Sequence, residues 1–116
     1  MAKLYVLTRH GGLVDWLQAK GYIDDAQVVA HADDAFLESL QTGDVVIGVA
    51  PPHLIAAINQ QGARFIAVEM RIPHELRGRE LSAEDMDKCG AQLREVSVRM
   101  SHILTPDALR AIAGVA

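Results

Sequence analysis

The sequence predicts a three-layer α/β domain on a mainly parallel five-stranded sheet. Three observations predict it. Short runs rich in strand formers alternate with helical-period segments along the chain. One run, Asp44–Val49, is almost continuously apolar, as a central strand covered on both faces must be. Glycine, proline and short polar side chains stand where helices should stop and start. Strands alternating with helices imply parallel strands joined by right-handed crossovers.

The elements follow in order. Lys3–Thr8 (KLYVLT) reads as strand one, and Arg9-His10-Gly11-Gly12 breaks it. Leu13–Lys20 places Leu13, Trp16 and Leu17 at helical spacing, with Gly21 as its stop. Trp16 is spaced as a core residue rather than a stacking platform. Gln27–Ala30 is a short second strand, and Asp33–Leu40 a short helix capped by Asp33 or Asp34. Asp44–Val49 is strand three, ended by Pro51-Pro52. A proline in the first turn then opens the helix His53–Gln61, which Gly62 ends. Arg64–Val68 is strand four. A polar connection, Arg71–Leu81, leads to Ser82-Ala83-Glu84-Asp85, a capping box that starts a helix reaching about Leu93. Val96, Val98 and Met100 alternate with polar residues and predict strand five. Thr105-Pro106-Asp107 starts a final short helix.

The 116 residues suit one domain, and no linker or internal repeat divides them. No run approaches the ~20 apolar residues that span a bilayer, and the N-terminus lacks the features of a signal peptide. The one cysteine, Cys89, cannot form an intrachain disulfide. These features predict a cytoplasmic protein. The formal net charge of −4 argues against binding long nucleic acid. The charge is uneven. Residues 1–60 carry three basic and seven acidic side chains, whereas residues 61–116 carry eight of each. Arg64, Arg71, Arg77 and Arg79 cluster against only Glu69 and Glu75. A local basic lip on an acidic domain suits a small anionic ligand, and an ordinary solvated loop is the plainer alternative.

In an open parallel sheet, ligands bind beyond the carboxyl ends of strands, where strand order reverses. Two loops qualify. Thr8-Arg9-His10-Gly11-Gly12 offers a guanidinium, an imidazole and glycine N–H groups at a helix start. Gly48-Val49-Ala50-Pro51-Pro52-His53 offers close backbone approach and a histidine at the next helix. His31, at the end of strand two, also points to the carboxyl edge, with a surface histidine as the plainer reading. Arg9 and His10 have a structural alternative too, capping the adjacent helix or pairing with Asp15. Dinucleotide, P-loop and nucleophile-elbow motifs are absent. The five histidines show no i, i+4 ligand spacing, so neither a metal nor another cofactor is expected.

Thr8-Arg9-His10-x-Gly12-x-x-x-Trp16 resembles the N-terminal signature of a small CRISPR-associated family, the Csx family numbered sixteen. Gly43-Asp44-Val45-Val46-Ile47-Gly48 with Pro51 and Leu54 resembles its middle block. Gly62-Ala63-Arg64 and Pro73-x-x-x-Arg77-Gly78-x-Glu80-Leu81-Ser82-x-x-x-Met86 resemble its third. Together these blocks span roughly residues 4–93. Two departures stand out: Val49-Ala50 replaces a usual Thr-Leu pair, and Ala32 replaces a usual leucine. The resemblance implies a Rossmann-like, CARF-like domain and an accessory role in type III CRISPR defence. It implies a ring nuclease that linearises cyclic tetra-adenylate, acting as a homodimer.

Within that reading, Arg9 and His10 are the expected catalytic residues. Thr8, Gly11, Gly12, His31, Gly48, Pro51, His53, Arg71, Arg77 and Arg79 are the expected ligand-binding residues. Two alternatives stay open. One is a non-cleaving binder of cyclic oligoadenylate, a sponge or sensor. The other is an unrelated Rossmann-like module for a mononucleotide.

Overall fold

The computed structural model describes residues 2–114. Five strands form one sheet: β1 (Leu4–Leu7), β2 (Gln27–Val29), β3 (Val45–Gly48), β4 (Arg64–Glu69) and β5 (Gln92–Val96). Five helices accompany them: α1 (Gly11–Ala19), α2 (Asp34–Ser39), α3 (Pro52–Gln60), α4 (Ala83–Lys88) and α5 (Pro106–Ala113). The strand order is β2-β1-β3-β4-β5, so the mainly parallel α/β sheet expected from the sequence is present.

Alternation along the central strands divides the core into two layers. Tyr5, Leu7, Val46 and Phe65 face Ile55 and Ile58 of α3, with half-buried Phe36 and Leu37 of α2 beside them. Val6, Ile47 and Val68 face Leu13, Trp16 and Leu17 of α1 and Met86 of α4. Trp16 is a core residue, as its spacing predicts. Its indole N–H donates to Asp87 Oδ1 at 3.1 Å, and Lys20 Nζ lies 3.1 Å from the same oxygen. This contact ties α4 to α1.

Capping matches the local sequence. Asp33 accepts from the Phe36 N–H, and Ser82 and Asp85 form the reciprocal capping box. Gly62, at φ +84°, closes α3.

Three boundaries differ from expectation. Helix α1 begins at Gly11, so both glycines belong to its first turn rather than to a loop. Helix α4 stops at Lys88, short of Leu93. Gly90 adopts φ +71°, a conformation glycine accepts at low cost, and turns the chain back at once. Strand five is therefore Gln92–Val96, not the Val96–Met100 alternation. It also runs antiparallel to β4, because the connection through α4 comes back to the end of β4 that it left, where the Arg71 N–H donates to the Cys89 carbonyl at 3.0 Å. Ion pairs hold this edge: Arg64 grips Glu95 in two-pronged fashion (2.6 and 2.7 Å), and the Arg94 Nε–H is shared by both oxygens of Glu69 (2.9 and 3.0 Å).

Asp44 is the one buried charged residue of the described core. Its carboxylate accepts the Lys3 N–H and the Gln41 N–H, both at 2.9 Å. It thereby joins the start of β1 to the turn before β3. These backbone donors hold its carboxyl below the ordinary range. The unfolded chain takes up this proton at a higher pH than the folded one. The stabilisation is thus complete above the unfolded value near ~3.9 and is lost as pH falls through the lower folded value. Asp44→Asn strips one of these two acceptors of its lone pairs. It is expected to cost about 1–3 kcal/mol at neutral pH and to flatten the acid limb of stability. Urea unfolding at several pH values measures both.

Candidate functional site

Strand β1 lies between β2 and β3, so the chain leaves β1 and β3 toward opposite faces of the sheet. Order reverses at this pair, and a crevice opens beyond their carboxyl ends. The strands are close there. A Cβ on Gly48 would stand 2.6 Å from the Leu7 carbonyl oxygen, so Gly48 is buried as a spacer and not as a ligand contact.

Two clefts share this end of the sheet. The first, of about 360 Å³, is lined by Thr8, Arg9, His10, His31, Val49 and Leu54, among others. It is the polar one. The second, of about 220 Å³, lies on the α1/α4 side under the 70–82 connection. Val68, Met70, Ile72, Leu81 and Met86 make it mostly apolar, with Arg79 and Glu80 at its wall. Thr8, His10, Leu13 and Val49 border both. His10 is therefore the dividing side chain between a polar space and an apolar slot.

Local hydrogen bonds set its position. The Thr8 N–H donates to the Val29 carbonyl (2.9 Å), which continues the β1–β2 ladder one residue further. Thr8 Oγ1 accepts the His10 N–H at 3.0 Å, a hydroxyl turn that fixes the backbone on entry to α1. His10 is the N-cap of α1 but supplies no side-chain cap, so its ring is free of that duty. The ring instead places Nδ1 3.4 Å from Glu80 Oε1. An ion pair exists there whenever the ring is protonated. Glu80 was not among the residues expected at the site, because seventy positions separate it from His10. Arg9 forms no ion pair among the described residues, and Asp15 does not engage it.

The remaining expected residues are dispersed around this end of the sheet and beyond it. His31 joins Arg9 and His10 in the polar cleft. Gly11 lines a shallow extension of it with Val14 and Val28. Gly12 is buried, and a Cβ there would reach 1.9 Å from the Leu81 carbonyl oxygen. Its role is to let α1 and the 70–82 connection touch.

Pro51 caps α3 from an exposed position, and His53 is exposed on that helix, outside both clefts. The arginines do not form one lip. Arg79 borders the apolar cleft, whereas Arg77 Nε donates to the Ile72 carbonyl at 3.4 Å. Arg71 lines a separate depression with Glu69, Cys89 and Gly90. Arg64 begins β4, at the opposite end of the sheet, bound to Glu95. Among the described residues, no three His, Cys, Asp or Glu side chains gather as a metal site would require. No described helix is long and apolar enough to cross a membrane.

Residues 5–99 match the family model described as "Putative CRISPR-associated protein (Cas_VVA1548)". The chain belongs to this CRISPR-associated family. The match begins in β1 and runs through β5, so both clefts of the CRISPR-associated chain lie inside it. Helix α5 lies beyond it. No curated protein and no solved structure matches the chain significantly.

The contact between Gly12 and Leu81 gives a direct test. Gly12→Ala must part α1 from the connection and is expected to destabilise by about 1–3 kcal/mol. Gly11→Ala adds a Cβ that meets nothing within 4 Å and should leave stability nearly unchanged. Chemical denaturation of the two variants compares them.

Proposed function

We propose that this CRISPR-associated chain is a ring nuclease of the Csx kind numbered sixteen, which linearises cyclic tetra-adenylate and so silences type III CRISPR signalling. One observation carries the reading. At the switch point of the sheet, a guanidinium with no ion-pair partner among the described residues (Arg9) and an imidazole whose Nδ1 lies beside the Glu80 carboxylate (His10) share a polar cleft, with an apolar slot behind the imidazole.

The chemistry fits these groups. A ribose 2′-hydroxyl attacks the adjacent phosphorus in line. The 2′-O–P bond forms, the P–O5′ bond breaks, and the strand opens with a 2′,3′-cyclic phosphate and a 5′-hydroxyl. One proton leaves the 2′-oxygen and one reaches the departing 5′-oxygen. Because the nucleophile belongs to the substrate, the protein must hold the link in line and stabilise charge on phosphorus. Arg9 neutralises the phosphate oxygens, with the uncapped amides at the α1 start beside it. His10 carries a proton to or from the reacting oxygens through Nε2, its Nδ1 being turned to Glu80. The apolar slot suits a nucleobase face, and its methionines suit contact with an aromatic ring. A two-fold pair of chains would present the cleft twice to a ring of four phosphates.

Turnover of excess cyclic tetra-adenylate by a little protein tests the reading. Multiple turnovers to linear product support it. Stoichiometric retention without cleavage would make the chain a sponge or sensor instead. Tight binding of a monomeric nucleotide alone would make it a mononucleotide module. His10→Ala is expected to slow turnover by about 10²-fold or more, the scale of general acid–base catalysis, with much less effect on binding. Activity should persist in a metal chelator. Glu80→Ala should lower kcat less than His10→Ala and leave KM near its original value, because Glu80 orients the ring without touching substrate.

A further inference from the structure

The cations of this chain divide by what they touch. Lys20, Arg64, Lys88, Arg94 and Arg110 each hold a carboxylate oxygen within 3.3 Å. Arg77 is engaged by the Ile72 carbonyl. Lys3, Arg9, Arg71, Arg79 and Arg99 form no ion pair among the described residues. Two of these last line the clefts that meet at His10: Arg9 on the polar side and Arg79 on the apolar side. Arg71 and Arg99 line other depressions, and Lys3 precedes β1 at the far end of the sheet.

The chain fixes Arg79 at this place. Gly78 turns just before it at φ +79°, and the Arg79 N–H donates to the Leu76 carbonyl at 3.3 Å. Glu80 then meets His10, and the Leu81 carbonyl lies against Gly12. The backbone is held on both sides of Arg79, while its exposed side chain makes no hydrogen bond among the described residues. Asp85 feels its charge, but hydrogen bonds from Ser82 dominate the lowering of that carboxyl and close it into the capping box.

Charge gives this free guanidinium a task. With His10 and His31 neutral, the Glu80 carboxylate cancels Arg9, and a crevice holding one phosphate on Arg9 would repel a second. Arg79 restores a positive charge on the slot side. A fixed cation on either side of His10 matches a chain that passes the imidazole with a phosphate on each hand.

We propose that Arg79 is a second phosphate clamp: it grips the phosphodiester next to the one that Arg9 and His10 address, and the slot seats the nucleoside joining the two. Its planar fork of donors suits a phosphate's oxygens. The site is thereby selective for oligonucleotides, because a mononucleotide fills one of the two positions and leaves the other cation empty. This rests on reading the crevice as a nucleotide site, and not on cleavage there.

Calorimetric titration with deoxyadenosine oligomers tests it, since they lack the 2′-hydroxyl that cleavage needs. The dimer has one phosphodiester and the trimer two. Wild-type chain should bind the trimer about 10-fold more tightly, the scale of one hydrogen-bonded charged contact. Arg79→Ala should lose most of that gain and keep the wild-type affinity for the dimer. It should also keep the wild-type melting temperature, because an exposed side chain without bonds supports no core. The slope of log affinity for the trimer against log salt should become shallower by about 0.7 in Arg79→Ala and recover in Arg79→Lys, as the loss and return of one phosphate contact on a single strand require. A merely structural role would leave that slope unmoved. Equal binding of dimer and trimer by wild type, an unchanged slope in Arg79→Ala, or a chain that binds neither oligomer would overturn the clamp. Cleavage of cyclic tetra-adenylate by a chain that binds both oligomers alike would keep the ring-nuclease reading and reject the clamp. Arg79-dependent binding of the trimer without such cleavage would do the reverse.

Discussion

The close parallel pairing of β1 with β3 is the constraint on which the rest of this molecule depends. Leu7 lies opposite Gly48 in register, and the missing side chain lets the two strand ends stay in contact up to the edge of the sheet. From that edge one chain segment passes into α1 and the other into α3, on opposite faces. The crevice is the gap this divergence leaves. Thr8, Arg9 and His10 occupy it because they follow β1 directly, and Val49 enters it from β3. No long loop is required to build the site.

Charge is distributed so that the crevice keeps what it needs. The carboxylates of Glu69, Glu95 and Asp87 are all held below their ordinary range, and each has a cation or indole N–H on it. Those pairs lie along β4–β5 or between α1 and α4. Being exposed, they orient elements more than they stabilise them. Glu80 differs in standing at the crevice itself, against His10.

Much of this was legible in the sequence, and the misses have physical causes. Helix starts were read well because caps are local: Asp33, Ser82 with Asp85, and Thr105 each bond a backbone N–H three residues on. The continuous apolar run of β3 marked the sheet centre. Strand β5 was misplaced because regular alternation begins only at Val96 and runs to Met100, and the signal for its true start was Gly90, whose turn shortened α4. The arginine cluster was misread because nearness in sequence is not nearness in space: Arg64 and Arg79 lie at opposite ends of β4 and its connection. The close approach of Gly12 to Leu81 joins segments far apart in the chain, and nothing local in the sequence reports it. Glu80 and the apolar slot combine residues from distant elements, and no periodicity reports such a meeting. The family resemblance carried Arg9 and His10 further than composition alone.

The chain has one tryptophan, and its N–H is bonded to a carboxylate on another helix. Tyr22 stands 5.5 Å from it, ring to ring. Asp87 belongs to the helix that begins where the cleft-lining connection ends. A shift of that connection would pull on α4, and the indole would lose or lengthen its bond. The emission of Trp16 is therefore expected to register any movement at the lip of the crevice, with no dye attached and no residue changed.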